Sequence, residues 1–147
     1  MANNRKNQLQ FGIQTNGIKH THLDAMPNIE TRFNMVKNTG IFDYVDKTPE
    51  SDEIDEFKKC SKKFNLPVIA GGWFYTIGEH KDLLIQNFKT ARELGSIVHN
   101  IQIQSHKANG ELVTDDEVRD TYIEAYDIGL KYGVTPCFEI HVNMWSE

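Results

Sequence analysis

Asn100-Ile101-Gln102-Ile103-Gln104-Ser105-His106 alternates without a break: Ile101 and Ile103 fall on one parity, Asn100, Gln102, Gln104 and His106 on the other. Successive side chains of a strand point to opposite faces, so the segment reads as the end of a strand, expected over 97–105, with one apolar and one polar face. Two other segments repeat the pattern. In 9–15, Phe11 and Ile13 oppose Gln10, Gly12, Gln14 and the following Asn16; in 134–142, Phe138 and Ile140 oppose Cys137, Glu139 and His141. A central strand of an open parallel sheet is covered by helices on both faces and reads apolar on both parities, because a polar row against a helix loses its water. The wall of a (β/α) barrel differs, since its inner face carries polar side chains near the C-terminal mouth.

Between these strands the periodicity changes from two to three or four. A helix is expected over 29–38, with Ile29, Phe33, Val36 and Met35 as its buried stripe and Thr39-Gly40 as its stop. A short strand over 41–47 leads to Thr48-Pro49 with Ser51, Asp52 and Glu53, the usual writing of a helix N-terminus. That helix runs to Phe64 on Ile54, Phe57, Cys60 and Phe64. A strand over 67–73 is expected to enter an aromatic loop, Trp73-Phe74-Tyr75, followed by a helix over 81–94. Thr114-Asp115-Asp116-Glu117 has the S/T-x-x-E form of a capping box opening a helix to Tyr132, so the acidic triplet reads as a helix start, not a metal site. Alternation of this kind gives the α/β class and a partial (β/α)8 TIM barrel of about five parallel strands. A complete barrel takes about 250 residues, so 1–147 reads as a single incomplete domain without its C-terminal strands. A flavodoxin-like five-strand sheet is the alternative fold, which calls for a helix after the last strand.

Composition narrows the function classes. No low-complexity stretch, signal-peptide core or apolar run of membrane length occurs, so an intracellular, cytoplasmic protein is expected. A net charge of −5 disfavours nucleic-acid partners. The basic cluster Lys58, Lys59, Lys62 and Lys63 is read as a solvated helix face paired with Asp52, Glu53, Asp55 and Glu56 of the same segment. Cys60 and Cys137, without CxxC spacing, are read as packed thiols.

Glu139 leads the candidate site residues, because a carboxylate inside the apolar run Pro136-Cys137-Phe138-Glu139-Ile140 needs a cation, a base or a metal beside it. A divalent ion answers this most simply; a Lys or Arg partner is the structural alternative. His141 shares the parity of Glu139 but lies about 7 Å further along the strand, which suits substrate or solvent contact as well as ligation. His106 and Gln104 end the polar row of their strand where a catalytic or substrate-binding group would lie. Asp46, at the end of the second strand and in phase with Tyr44, suits a sugar hydroxyl or the orientation of a base. Gly71-Gly72 permits close approach beneath Trp73, Phe74 and Tyr75, an apolar wall for a small polar ligand or simply core. His99 is expected to be structural and His80 to belong to a loop or helix start, while the pair His20 and His22 resembles metal spacing inside a polar loop. No phosphate-cradling glycine motif is present.

With these residues placed, the chain resembles the xylose isomerase-like TIM-barrel superfamily, which includes sugar and sugar phosphate isomerases and epimerases and metal-dependent apurinic endonucleases. The resemblance runs through FGIQTNG (11–17), IFDYVDKT (41–48), NIQIQSHKANGELVTDDEV (100–118) and GVTPCFEIHVNMWSE (133–147), of which the last is the most specific. It implies a metal-ligand role for Glu139, with Mn, Mg, Co or Zn as the ion, and a matching strand-two acid in Asp46. The implied substrate is a small sugar or polyol, touched by Trp73, His141 and Gln104, with His106 and Asp46 as catalytic groups. The superfamily's other ligands come from strands six to eight, so this chain is expected to be a fragment, inactive alone, that associates with the missing half or another copy. A non-catalytic module that binds a sugar or a protein partner without a metal is the rival from another class, and an apurinic endonuclease relative, disfavoured by the acidic charge balance, is a third reading.

Overall fold

A computed structural model describes residues 9–15, 18, 27–69 and 71–140. The order is β1 (Gly12–Gln14), α1 (Ile29–Thr39), β2 (Tyr44–Asp46), α2 (Ile54–Phe64), β3 (Val68–Ile69), β4 (Gly72–Tyr75), α3 (His80–Glu93), β5 (Val98–Ile103), α4 (Asp115–Tyr132) and β6 (Thr135–Phe138). Every strand pairing is parallel, in the orders β1-β2-β3 and β4-β5-β6. The strand expected over 67–73 is thus divided. Its first part pairs with β2 and its second with β5, while the Gly71 carbonyl already accepts from the Asn100 N–H at 3.3 Å. The segment joins the two sheets into the five-position wall of a partial barrel.

Two apolar clusters lie between this wall and its helices. Val45 and Val68 meet Phe33, Val36, Phe57 and Cys60 of α1 and α2. Ile101, Ile103 and Tyr75 meet Leu84, Phe88, Val118 and Ala125 of α3 and α4. Phe33, Phe57 and Phe88 are wholly buried, each stabilising the fold by ~1.5–3 kcal/mol relative to exposure. Met35, expected in the α1 stripe, is exposed and Arg32 is buried instead, its guanidinium 6.0 Å from the Phe57 ring. The turn of α1 that faces α2 carries the long arginine stem, which covers an aromatic face while its charge reaches Glu53 at 3.9 Å.

The helix ends obey the sequence in part. Thr114 Oγ1 accepts from the Glu117 N–H at 3.3 Å and Glu117 returns an acceptor to the Thr114 N–H at 2.9 Å, the expected capping box. Gly40 and Gly133 stop α1 and α4 with φ of 66° each. The start of α2 differs: neither Ser51 nor Asp52 caps it. Residues 51–53 form a turn in which the Glu53 carboxylate accepts from the Glu50 N–H at 3.1 Å. The lysines of α2 also pair differently from expectation, Lys58 with Glu93 of α3 and Lys63 with Glu30 of α1, so they tie neighbouring helices together. Cys60 is buried as expected, but Cys137 is only half-buried. Among the described residues, no helix is long and apolar enough to cross a membrane.

Candidate functional site

Strand register decides which side chains share a face. Gln14 lies opposite Asp46, Asn100 opposite Gly72, Gln102 opposite Phe74, and Cys137 opposite Asn100. The other parity, with Ile13, Val45, Val68, Tyr75, Ile101 and Ile103, packs into the helical layer. The polar parity therefore faces the interior of the wall, and at the C-terminal ends of the strands it lines one cavity of about 640 Å³. Asp46 and Gln14 border it from one sheet; Gln102, Asn100 and Glu139 border it from the other.

Two carboxylates, from β2 and from just after β6, thus share this cavity. Asp46 is half-buried, and its Oδ1 has no hydrogen-bond partner. Burial, and secondarily the negative charge of Glu139, raise its pKa above the usual carboxylate value. Glu139 receives only a long contact, Asn100 Nδ2 donating to Oε2 at 3.5 Å, and its backbone N–H donates to the Ile101 carbonyl at 3.0 Å. Among the described residues, no Lys or Arg pairs with Glu139 as a structural ion pair would require. Gly71 makes room for the Asp46 carboxylate: a Cβ at that position would lie 2.6 Å from Oδ1. Deeper in the wall, Gly12 leaves space for the Tyr44 ring, which occupies the position where its Cβ would stand.

The aromatic side of the cavity is not the expected one. Trp73 borders it, yet by register it falls in phase with Ile101 and its side chain packs against the outer core. Phe74, in phase with Gln102 and nearly half exposed, is the ring on the inner face. Trp73, Phe74 and Tyr75 belong to β4 rather than to a loop, and Tyr75 is core.

His106 and Gln104 are not brought to the cavity. β5 ends at Ile103, the Gln104 N–H donates to the Tyr75 carbonyl, and the chain turns outward into an antiparallel bridge between His106 and Leu112. His106 is exposed, with its Nδ1 3.0 Å from the Ser105 hydroxyl. His141, His20, His22 and Asn16 lie outside the described residues. His80 is the first residue of α3 and does not cap it: its ring meets Glu124 of α4 at 3.0 Å. His99 is structural in position, wholly buried on the outer parity and bonded to the Tyr75 hydroxyl at 2.7 Å.

Phe74 belongs to the apolar wall expected beside the ligand, whereas Gln14, Asn100 and Gln102 stood in the sequence only as members of the polar rows. Their signal was the inner-face alternation itself, read one step too far toward the C-terminal end of each strand.

The donor set bears on a metal. Asp46 and Glu139 carboxylates with the side-chain oxygens of Gln14, Asn100 and Gln102 are the hard donors that Mg²⁺ and Mn²⁺ accept, and an unpartnered buried carboxylate oxygen fits a cation. Among the described residues no three His, Cys, Asp or Glu side chains cluster tightly enough to hold an ion alone, so these residues fit one side of such a site.

No family model and no curated protein matches the chain. Solved structures do. A sugar phosphate isomerase/epimerase from Parabacteroides distasonis aligns with a TM-score of 0.58 at 15% identity, over 91% of this chain and 52% of its own. D-Psicose 3-epimerase from Clostridium cellulolyticum, solved with D-tagatose, aligns at 0.63 and 12% identity, over 88% and 52%. The IOLI protein with a bound zinc atom aligns at 0.63 and 11%, over 93% and 54%. The chain spans about half the length of these proteins. At such identities the likeness shows the fold alone, a partial (β/α) barrel, as expected from the sequence.

Proposed function

We propose that this partial barrel belongs to a divalent-metal-dependent isomerase or epimerase acting on a sugar or sugar phosphate. One observation carries the reading: carboxylates from β2 and from just after β6 converge on one cavity at the C-terminal ends of the strands, where (β/α) barrels place their chemistry. The IOLI zinc and the sugar-processing neighbours support it.

Glu139 is the metal ligand in this proposal, with Asp46 close enough to share the ion's field. A bound ion would polarise a substrate carbonyl or hydroxyl oxygen. The chain's own residues do the rest. Gln102 and Asn100 donate to and accept from sugar hydroxyls, Phe74 covers an apolar C–H face, and Asp46, whose pKa burial and the Glu139 charge raise, is the group that accepts or returns a proton at its carboxyl. His106 and Gln104 take no part. Ligands from further strands, in this chain's continuation or in an associated chain, would complete the coordination, so the 147-residue chain is proposed to turn over substrate only when so completed.

Titration of Mn²⁺ into the chain, followed by the loss of free-ion paramagnetic signal, tests the metal. Binding that weakens at least tenfold in Glu139→Gln supports the proposal. Equal binding by both proteins removes the metal role, and sugar binding indifferent to a chelator would then favour a non-catalytic module.

A further inference from the structure

Asp46 and Gly71 meet at a break in the wall. The chain is held to β2 as far as Ile69, whose carbonyl accepts from the Lys47 N–H at 3.0 Å, and by Gly71 it has gone over to β5, the Gly71 carbonyl accepting from the Asn100 N–H at 3.3 Å. Residue 71 carries no side chain at this crossing, and the Asp46 carboxylate fills the space. A Cβ there would stand 2.6 Å from Oδ1 and 3.4 Å from Cγ, with the Lys47 nitrogen next at 3.5 Å. Gly71 is not among the glycines with positive φ, so its backbone would accept a side chain; the carboxylate is what a side chain would displace. Oδ1 is buried there without a hydrogen-bond partner. Whatever the cavity meets of this carboxylate it therefore meets through Oδ2.

We propose that Gly71 is a positioning residue for Asp46: its bare backbone admits one carboxylate oxygen into the break of the wall, so that the acid presents a single oxygen to the cavity. What that oxygen acts on rests on the function proposed above. A carboxylate held this way does not chelate an ion through both oxygens, and its accessible oxygen is left to exchange a proton or to accept from a hydroxyl group. Glu139, touched loosely by Asn100 at 3.5 Å, is the acid left for the ion. The two acids of the cavity differ in their work because the backbone beside one of them lacks a side chain.

Gly71→Ala tests this, because the atom that must move is the tip of a side chain and not backbone. The variant is expected to fold, with the Asp46 carboxylate turned out into the cavity. Its carboxyl carbon, followed by NMR, is then expected to titrate closer to the ordinary 3.8 than in the unsubstituted chain, since burial is the main cause of the elevation. Mn²⁺, followed by its free-ion paramagnetic signal, is expected to bind about threefold more tightly once both oxygens face it, and the gain to vanish when Asp46→Asn is added. An Asp46 titration that is the same in both proteins overturns the proposal, as does a gain in Mn²⁺ affinity that survives Asp46→Asn. Failure of the unsubstituted chain to bind Mn²⁺ ends the metal reading instead, and the titration still decides the placement of Asp46. If Gly71→Ala does not fold, adding Asp46→Ala decides: recovery of the fold supports the contact, and a double variant that also fails to fold overturns it.

Discussion

The strand wall carries a polar cluster on each face, and the two are built differently. On the helical side, Asn87 Nδ2 donates to the Tyr75 hydroxyl at 2.8 Å, and that hydroxyl lies in hydrogen-bond contact with His99 Nε2 at 2.7 Å. The Phe88 ring closes over it edge-on at 5.6 Å. Burial pulls the His99 pKa down to about 4 and pushes the Tyr75 phenol far above its usual value, so neither group changes charge near neutrality. On the inner side, Asp46 and Glu139 line a shared cavity with few hydrogen-bond partners among the described residues, and burial with the Glu139 charge raises the Asp46 pKa. The polar groups on the helical side bond to one another and stay neutral, although His99 Nδ1 has no hydrogen-bond partner among the described residues. Those placed for binding are left unsatisfied, at some cost in stability.

The largest effect that would break this contrast is a pH response. His99 has a folded pKa below its unfolded value of 6.5, so its contribution is fully present above pH 6.5 and is lost as pH falls toward 4. Chemical denaturation at pH 7 and at pH 4 should differ by roughly 3 kcal/mol from this residue, at ~1.4 kcal/mol per pK unit. A His99→Gln variant should lack that portion of the acid loss. Next in size is Tyr75→Phe. Removing the hydroxyl strands the buried His99 Nε2 and Asn87 Nδ2, and the unfolding free energy should fall by ~1–3 kcal/mol. The inner face should respond with the opposite sign. Asp46 has a raised folded pKa, so its ionised form costs stability once pH exceeds that value. Asp46→Asn should stabilise the chain at pH 7 by about 0.5–1 kcal/mol while weakening ligand binding. Equal destabilisation by the two substitutions would erase the distinction between the faces.

The barrel wall was legible in the sequence because alternation along 100–106 and around Glu139 reports the two faces directly. Individual residues were less legible, and the causes are local. β5 stops at Ile103, and neither Gln104 nor His106 lines the cavity although the polar parity continues through them. In β4, register with β5 turns Trp73 outward and Phe74 inward, and nothing in Trp73-Phe74-Tyr75 alone distinguishes the two phases. Helix starts written by Ser51 and Asp52 gave way to a turn held by Glu53. Asp46 and Glu139, by contrast, could be read early, since a carboxylate on or beside a short apolar strand has few environments that tolerate it.

The claim on which the account depends is that these two acids share one inner cavity, and the titration of the Asp46 side-chain carboxyl carbon by NMR tests it most directly. The account predicts a pKa above 3.8 that falls in Glu139→Gln yet stays elevated, because burial contributes more than the neighbouring charge. An ordinary Asp46 pKa, indifferent to residue 139, would place the carboxylates apart and contradict the account.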